Sequence, residues 1–398
     1  MSTVLTPTNP SSPAEVVGGS DDLLTEILSY IPVIPLLRFK STSKQWNTII
    51  SHRTFSLLHT SSHLHSPSSG LFFHQHHHSL YPLYDFISFT SSSSHRPTFF
   101  SLLKSCTFDI LQSCNGLFLC SFNLSIFVCN PTTNQETRID LPVHVTETDD
   151  FLFRGFNLGF DPARSPYYQV LCVWASKIED NAYLIDLYSS ETQQWRREVI
   201  DVFRVPFDVE FDHRVYWEGR VYWLSHTETT IFFDFDKECV ESLALPKAIE
   251  GDYIERFRYF GESCGHLHLI EIRTNSVDEF DVLELNRKNK TEWVVKYRVN
   301  LDVLGRGFET EMFQDHSDRF WRGLRLYAFS ILAVVRENVG DDEDDDSALV
   351  LSIPGKVISY NLRTKVSKLL CNVVDESDRL FPFRGYNAFQ FTESIYCV

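Results

Sequence analysis

The chain has 398 residues, 43% of them hydrophobic and 22% charged, a balance that argues against intrinsic disorder and for an ordinary globular protein of two or three domains at about 150 residues each. Its formal net charge of −17, from 36 basic and 53 acidic side chains, argues against a general affinity for nucleic acid or an anionic membrane, since both need a local excess of positive charge. No apolar run approaches the roughly 18 residues of a transmembrane helix.

The start, Met1 to Pro10, lacks the basic and apolar regions of a signal peptide. Residues 1–20 are rich in Ser, Thr, Pro and Gly and read as a disordered tail.

Residues 21–51, DDLLTEILSYIPVIPLLRFKSTSKQWNTIIS, differ in kind. Asp21 or Asp22 can cap a helix, and Leu23, Leu24, Ile27, Leu28 and Ile31 then fall on one apolar face. Pro32 ends that helix, and Pro35 can open a second carrying Leu36, Leu37 and Phe39. Ser43 caps a third, with Trp46, Ile49 and Ile50 at helical spacing. Three short helices are too little chain to bury so many large side chains on themselves, so the rest of the protein or a partner must cover some. Residues 21–60 form this unit, and 61–69 read as a Ser/His-rich linker.

From Gly70 to the C-terminus the period changes to two. Short strands such as 116–122, 167–175, 219–225 and 265–273 follow one another with hairpin-sized gaps, and only 310–325 leaves room for a helix. Gly116, Gly159, Gly219 and Gly265 recur 43, 60 and 46 residues apart. Turn signals repeat as well: Asn130-Pro131-Thr132-Thr133 precedes Leu141-Pro142, and Asp234-Phe235-Asp236 precedes Leu245-Pro246. That period, with about four strands per repeat, signals a β-propeller. Units at 106–142, 155–205, 209–247, 259–303 and 327–373 make five. A sixth would close the ring by pairing 386–394 with 70–90. A two-sheet sandwich is the rival.

The helical segment resembles an F-box, on its Asp-Leu-Leu start, its Ile-Pro break, Leu36-Leu37-Arg38-Phe39-Lys40 and the Lys-x-Trp-x-x-x-Ile helix at Lys44–Ile50. Residues 70–398 resemble the F-box-associated, kelch-like domain of plant F-box proteins. Ser113-Cys114-Asn115-Gly116-Leu117, Asn130 to Thr133, Leu158 to Pro162, Gly219 to Leu224 and Ser263 to Leu267 carry this second resemblance. Two departures stand out. Gly19-Ser20 replaces the usual Leu-Pro, and the paired glycines of kelch repeats are absent.

The resemblance implies a multidomain α+β chain: a small three-helix F-box and an all-β propeller of about six blades. It implies a non-catalytic substrate receptor of a Skp–cullin–F-box ubiquitin ligase. A Skp-type adaptor, and through it cullin and RING subunits, would dock on Leu23, Leu24, Ile27, Leu28, Pro32, Leu36, Leu37, Phe39, Trp46, Ile49 and Ile50, with Lys40 and Lys44 at the rim. Some of these side chains must instead form the unit's own core.

Other constellations carry less chemistry. His74 and His76 to His78, with His63 and His65, lack Cys or carboxylate at a zinc spacing, and alternate residues of a strand point to opposite faces, so no metal is expected. The run Gly340 to Asp346 lacks the spacing of a calcium loop and reads as a solvated turn. Motifs of nucleophilic, phosphate-binding or dinucleotide sites are missing, so no cofactor is expected, and any rate effect would come from proximity. Nine cysteines without a Cys-x-x-Cys pair read as reduced thiols of a cytoplasmic or nuclear protein. The target protein would bind propeller loops, with 146–153, 204–211, 247–257 and 306–321 as candidates, although no single residue can be assigned. A propeller interaction module outside a ligase is the alternative. An enzyme would need acid and base groups converging in the channel.

Overall fold

The computed structural model describes residues 13–62, 68–75, 83–89, 108–123, 125–142, 150–197, 200–205, 209–225, 229–246, 256–273, 279–308, 313–315, 325–327, 329–336, 347–373 and 388–398. Five helices come first: α1 (Pro13–Gly18), α2 (Asp21–Ser29), α3 (Val33–Phe39), α4 (Lys44–Ser51) and α5 (Arg53–Ser62). Within the stretch expected to be a disordered tail, Pro13–Gly18 is the helix α1, where Val17 packs against the helical core and gives the segment something to order against; residues 1–12 lie outside the described residues. Ser20 is the N-cap of α2 and accepts from the Leu23 N–H at 3.4 Å. Ser43 caps α4 in the same way, at 3.1 Å. Leu24, Leu28, Leu36, Ile50 and Phe55 form the core of this unit.

The strands build six blades around an axis. The closing blade holds β1 (Gly70–Gln75) and β2 (Leu83–Ser88). Blade one holds β3 (Asp109–Cys114), β4 (Leu117–Phe122), β5 (Ser125–Asn130) and β6 (Gln135–Ile139). Blade two holds β7 (Phe151–Gly159), β8 (Gln169–Ser176), β9 (Ala182–Ser189) and β10 (Gln194–Arg196), with β11 (Phe203–Arg204) also on β9. Blade three holds β12 (Val209–Trp217), β13 (Arg220–Ser225), β14 (Thr229–Asp234) and β15 (Cys239–Ala244). Blade four holds β16 (Arg256–Ser263), β17 (His266–Arg273), β18 (Glu279–Leu285) and β19 (Trp293–Asn300), followed by a helical turn α6 (Leu301–Leu304). The described parts of 310–325 and its flank are strands, not helix: β20 (Phe313–Asp315) pairs with β21 (Arg325–Tyr327). Blade five holds β22 (Ser330–Val335), β23 (Ala348–Ile353), β24 (Lys356–Asn361) and β25 (Ser367–Asn372). Finally β26 (Ala388–Phe391) pairs with β1, Phe72 opposite Phe389, so the chain's last strand closes the ring.

The long apolar runs follow from this architecture. A middle strand of a blade is covered on both faces, so both residue parities must be apolar. In β8, Val170 and Cys172 pack toward blade one, while Leu171 and Val173 pack toward blade three. The outermost strands face water, and β6 turns polar. Tryptophan N–H groups bridge neighbouring blades. Trp195 donates to the Asp140 carbonyl at 2.7 Å, Trp223 to Asn157 at 2.7 Å, Trp217 to the Gly265 carbonyl at 2.9 Å and Trp293 to the Ala244 carbonyl at 3.1 Å.

Two turn types account for the repeated signals. Asn115-Gly116, Glu218-Gly219 and Cys264-Gly265 have positive φ at both residues, the two-residue hairpin that matches strand twist. Gly159 belongs to another class, since it ends β7. Between the third and fourth strands, a side-chain oxygen at the strand end accepts backbone N–H groups two or three residues on. Asn130, Asp234 and Asn361 all do this.

Candidate functional site

α2 carries two apolar stripes at helical spacing. Leu24, Leu28 and Ile31 turn inward to the core of the helical unit. Leu23, Ile27 and Tyr30 point to solvent and are 40%, 51% and 69% exposed. Beside them Pro32 and Pro35 are exposed, and Leu37, Phe39, Trp46 and Ile49 are half-buried at the core's edge. Phe39 and Trp46 meet edge to face at 5.2 Å. Of the eleven side chains expected to face an adaptor, Leu24, Leu28, Leu36 and Ile50 are thus interior. Leu23, Ile27 and Pro32 are the most open, and Tyr30 joins them although it lies outside the apolar spacing of the sequence. Lys44 is exposed and Lys40 half-buried. Asp21 accepts from Gln45 at 2.7 Å and ties the start of α2 to α4. His59 of α5 donates to the Ile31 carbonyl at 2.8 Å and closes the other end.

The helical unit lies at the end of the propeller where the inner strands finish. Val33, His59 and Thr60 share a cavity of about 160 Å³ with Asn115, Asp161, Trp217, Gly265 and Thr392, which stand just past or at the ends of five inner strands. Arg53 rests on the Tyr167 ring, 4.8 Å from its centre. The inner strands therefore begin at the opposite end, at Asp109, Phe151, Val209, Arg256, Ser330 and Ala388. Leu152 and Phe153, exposed near the start of β7, mark that far end, as does exposed Ile178 in the turn after β8. The candidate loops 146–153, 204–211, 247–257 and 306–321 flank these strand starts, although most of their residues lie outside the described ones.

A second cavity, of about 180 Å³, runs along the axis between the inner strands. Its polar lining is largely engaged with backbone. Arg214 Nε and Nη2 donate to the Leu111 carbonyl at 3.1 and 2.6 Å, and Nη1 to the Phe211 carbonyl at 3.3 Å. Burial pulls its guanidinium down to about 10. Gln112 is locked in both directions to the backbone of Leu158, at 3.0 and 2.7 Å. Glu262 borders both cavities and accepts from the Gly265 N–H at 2.6 Å, and burial pushes its carboxyl up to about 7. The Arg214 and Gln112 contacts tie the inner strands β3, β7 and β12 to one another.

A buried charge cluster joins blades four and five. Glu284 meets His266 at 2.8 Å and Arg336 at 2.5 Å, with His268 at 3.6 Å. Burial raises the Glu284 carboxyl, but His266, His268 and Arg336 more than offset it and hold it at about 2. Burial likewise pulls His268 down to about 3 and keeps it neutral. Among the described residues no group of His, Cys, Asp or Glu has the geometry of a metal site. His63, His65 and His76 to His78, and the acidic run 340–346, lie outside the described residues.

Residues 20–57 match the F-box domain, and 72–275 match the F-box associated beta propeller domain. The chain is 32% identical over 413 aligned residues to F-box protein At5g07610 of Arabidopsis thaliana, covering 97% of this chain and 94% of that protein. It is 23% identical to the F-box/kelch-repeat protein At3g16580 of the same plant, covering 70% of this chain and 69% of that protein. Among solved structures, an oligogalacturonate lyase from Vibrio parahaemolyticus aligns at a TM-score of 0.38 and 9% identity, over 81% of this chain and 85% of that one, too loosely to bear on chemistry.

Proposed function

The chain belongs to the F-box proteins that carry an F-box-associated β-propeller, and from that membership we propose that it is the substrate-recognition subunit of a Skp–cullin–F-box ubiquitin ligase. F-box domains typically bind Skp-type adaptors. The observation that carries the reading is the stripe Leu23, Ile27 and Tyr30, left in water although the unit's own core is complete beneath it. Exposed large apolar side chains in a row on one helix mark a docking face. Ser20 supports the reading too. As N-cap it starts α2 in the absence of the usual Leu-Pro, so Gly19-Ser20 leaves the helix start intact.

The adaptor would connect the chain to cullin and RING subunits. The target protein would bind the far end of the propeller, which the helical unit leaves open, and would be held near a charged ubiquitin carrier. The receptor itself supplies proximity, not bond chemistry. We place it in the cytoplasm or nucleus, where buried thiols such as Cys114, Cys120 and Cys172 stay reduced.

The test is co-purification of the full chain with a purified Skp-type adaptor. Wild type is expected to retain it, and Leu23→Asp with Ile27→Asp to lose it at least a hundredfold, on the order of 3 kcal/mol. Both positions are on the surface, so the double variant should melt like wild type. Retention of the adaptor by a folded double variant would overturn the assignment of this face. A folded wild type that takes up no adaptor would leave an interaction module outside a ligase.

A further inference from the structure

The last residues of the chain leave the propeller and enter the F-box. Ile395 is 1% exposed and sits in the core of the helical unit with Leu24, Leu28, Leu36, Ile50 and Phe55. Its neighbour Tyr396 turns the other way, into the core between blades one and two, edge to face on Phe160 at 4.9 Å. Two adjacent side chains thus belong to two different domains.

The tail is gripped by blade one. Asn130 Nδ2 donates to the Ser394 and Tyr396 carbonyls at 3.3 and 2.8 Å and to Ser394 Oγ at 3.0 Å. The Ser394 N–H donates to Thr132 Oγ1 at 3.1 Å. Asn130 Oδ1 meanwhile holds its own turn through the Thr132 and Thr133 N–H groups. Asp234 fills the same turn position in blade three and has no N–H to offer, so that blade's turn cannot grip a carbonyl this way. Gly116 lies under Ser394, where a Cβ would come within 2.6 Å of the serine side chain. Gly116 and the turn Asn130 to Thr133 therefore do more than reverse the chain: they form the seat of the C-terminal tail.

We propose that Ser394–Val398 is a latch that fixes the F-box on the propeller, with Ile395 and Asn130 as positioning residues that set where a bound target stands relative to the adaptor. The positioning role rests on the ligase reading above; the latch itself does not. A fully buried isoleucine favours the docked state by roughly tenfold to a hundredfold. A receptor that must place target lysines within reach of a ubiquitin carrier gains from such rigidity.

The full-length chain, its Ile395→Ala and Asn130→Ala variants, and a truncation after Glu393 are compared by protease cleavage after Arg53, which rests on the Tyr167 ring while the helical unit is docked, so that the rate follows the undocked population. Cleavage is expected to rise about tenfold or more in each variant, while Asn130→Ala keeps its adaptor affinity within about twofold and the propeller's main unfolding transition is kept. In the reconstituted ligase, self-ubiquitination should spread to propeller lysines that wild type leaves unmodified. Should the truncation fail to fold, the two point variants carry the test. Unchanged cleavage in Ile395→Ala and Asn130→Ala would overturn the latch. Raised cleavage with an unchanged lysine pattern would overturn the positioning role alone. A wild type that binds no adaptor would instead defeat the ligase reading, and the cleavage rates would still decide the latch.

Discussion

Glu262 stands where the axial channel meets the cavity under the helical unit, and it is the buried carboxyl whose cost can be read by titration. Unfolded, it ionises near its ordinary 4.5; folded, burial delays this to about 7. The stability linked to it is therefore full below 4.5 and lost as pH rises through 7. Glu262→Gln keeps an acceptor for the Gly265 N–H and cannot ionise. The variant should gain on wild type between about pH 5 and about pH 8, by on the order of 2 kcal/mol, in denaturant titrations at each pH. A difference independent of pH would show that the carboxyl is solvated in the channel. Glu284 is the opposite case, held ionised by His266, His268 and Arg336, which shows how partners rather than depth decide a buried carboxylate's charge. Neither environment is legible in the sequence, because each is assembled from different strands or blades.

At the scale of elements, α2 shows what a sequence pattern leaves open. Leu23, Leu24, Ile27 and Leu28 are all apolar, so either stripe could have been the inner one, and spacing alone does not choose. The choice is made by packing against α4 and α5, with Ile395 arriving from the far end of the chain. Leu28→Ala should accordingly cost about 2–5 kcal/mol of the helical unit's stability, and Leu23→Ala less than about 0.5 kcal/mol. Equal losses, read by thermal melting of the full chain, would mean that the two stripes are misassigned. The turns are far more legible. Asn115-Gly116 and Asn130 to Thr133 declare themselves because their chemistry is local: positive φ at a glycine, and an amide oxygen facing its own backbone. Their second role, as a seat for the tail, depends on a segment more than 260 positions away, and no local signal reports it.

At the scale of the whole molecule, ring closure is foreseeable, since an unpaired strand at each end of a repeat array calls for its complement, and β26 does pair with β1. Closure also brings the chain's last residues back beside its first domain, which makes a tail contact with the F-box possible. The molecule therefore has two distinct ends. One carries the helical unit and its exposed stripe; the other carries the starts of the inner strands, with Leu152, Phe153 and Ile178 in water. In the ligase we propose, an adaptor takes the first end and leaves the second free for a target. Hydrogen exchange of the full chain, alone and with a purified Skp-type adaptor, tests this most directly. Exchange is expected to slow in α2, α3 and α4, with the far-end segments 150–153 and 177–181 unchanged. Protection at those far-end segments, with none in α2, would contradict it.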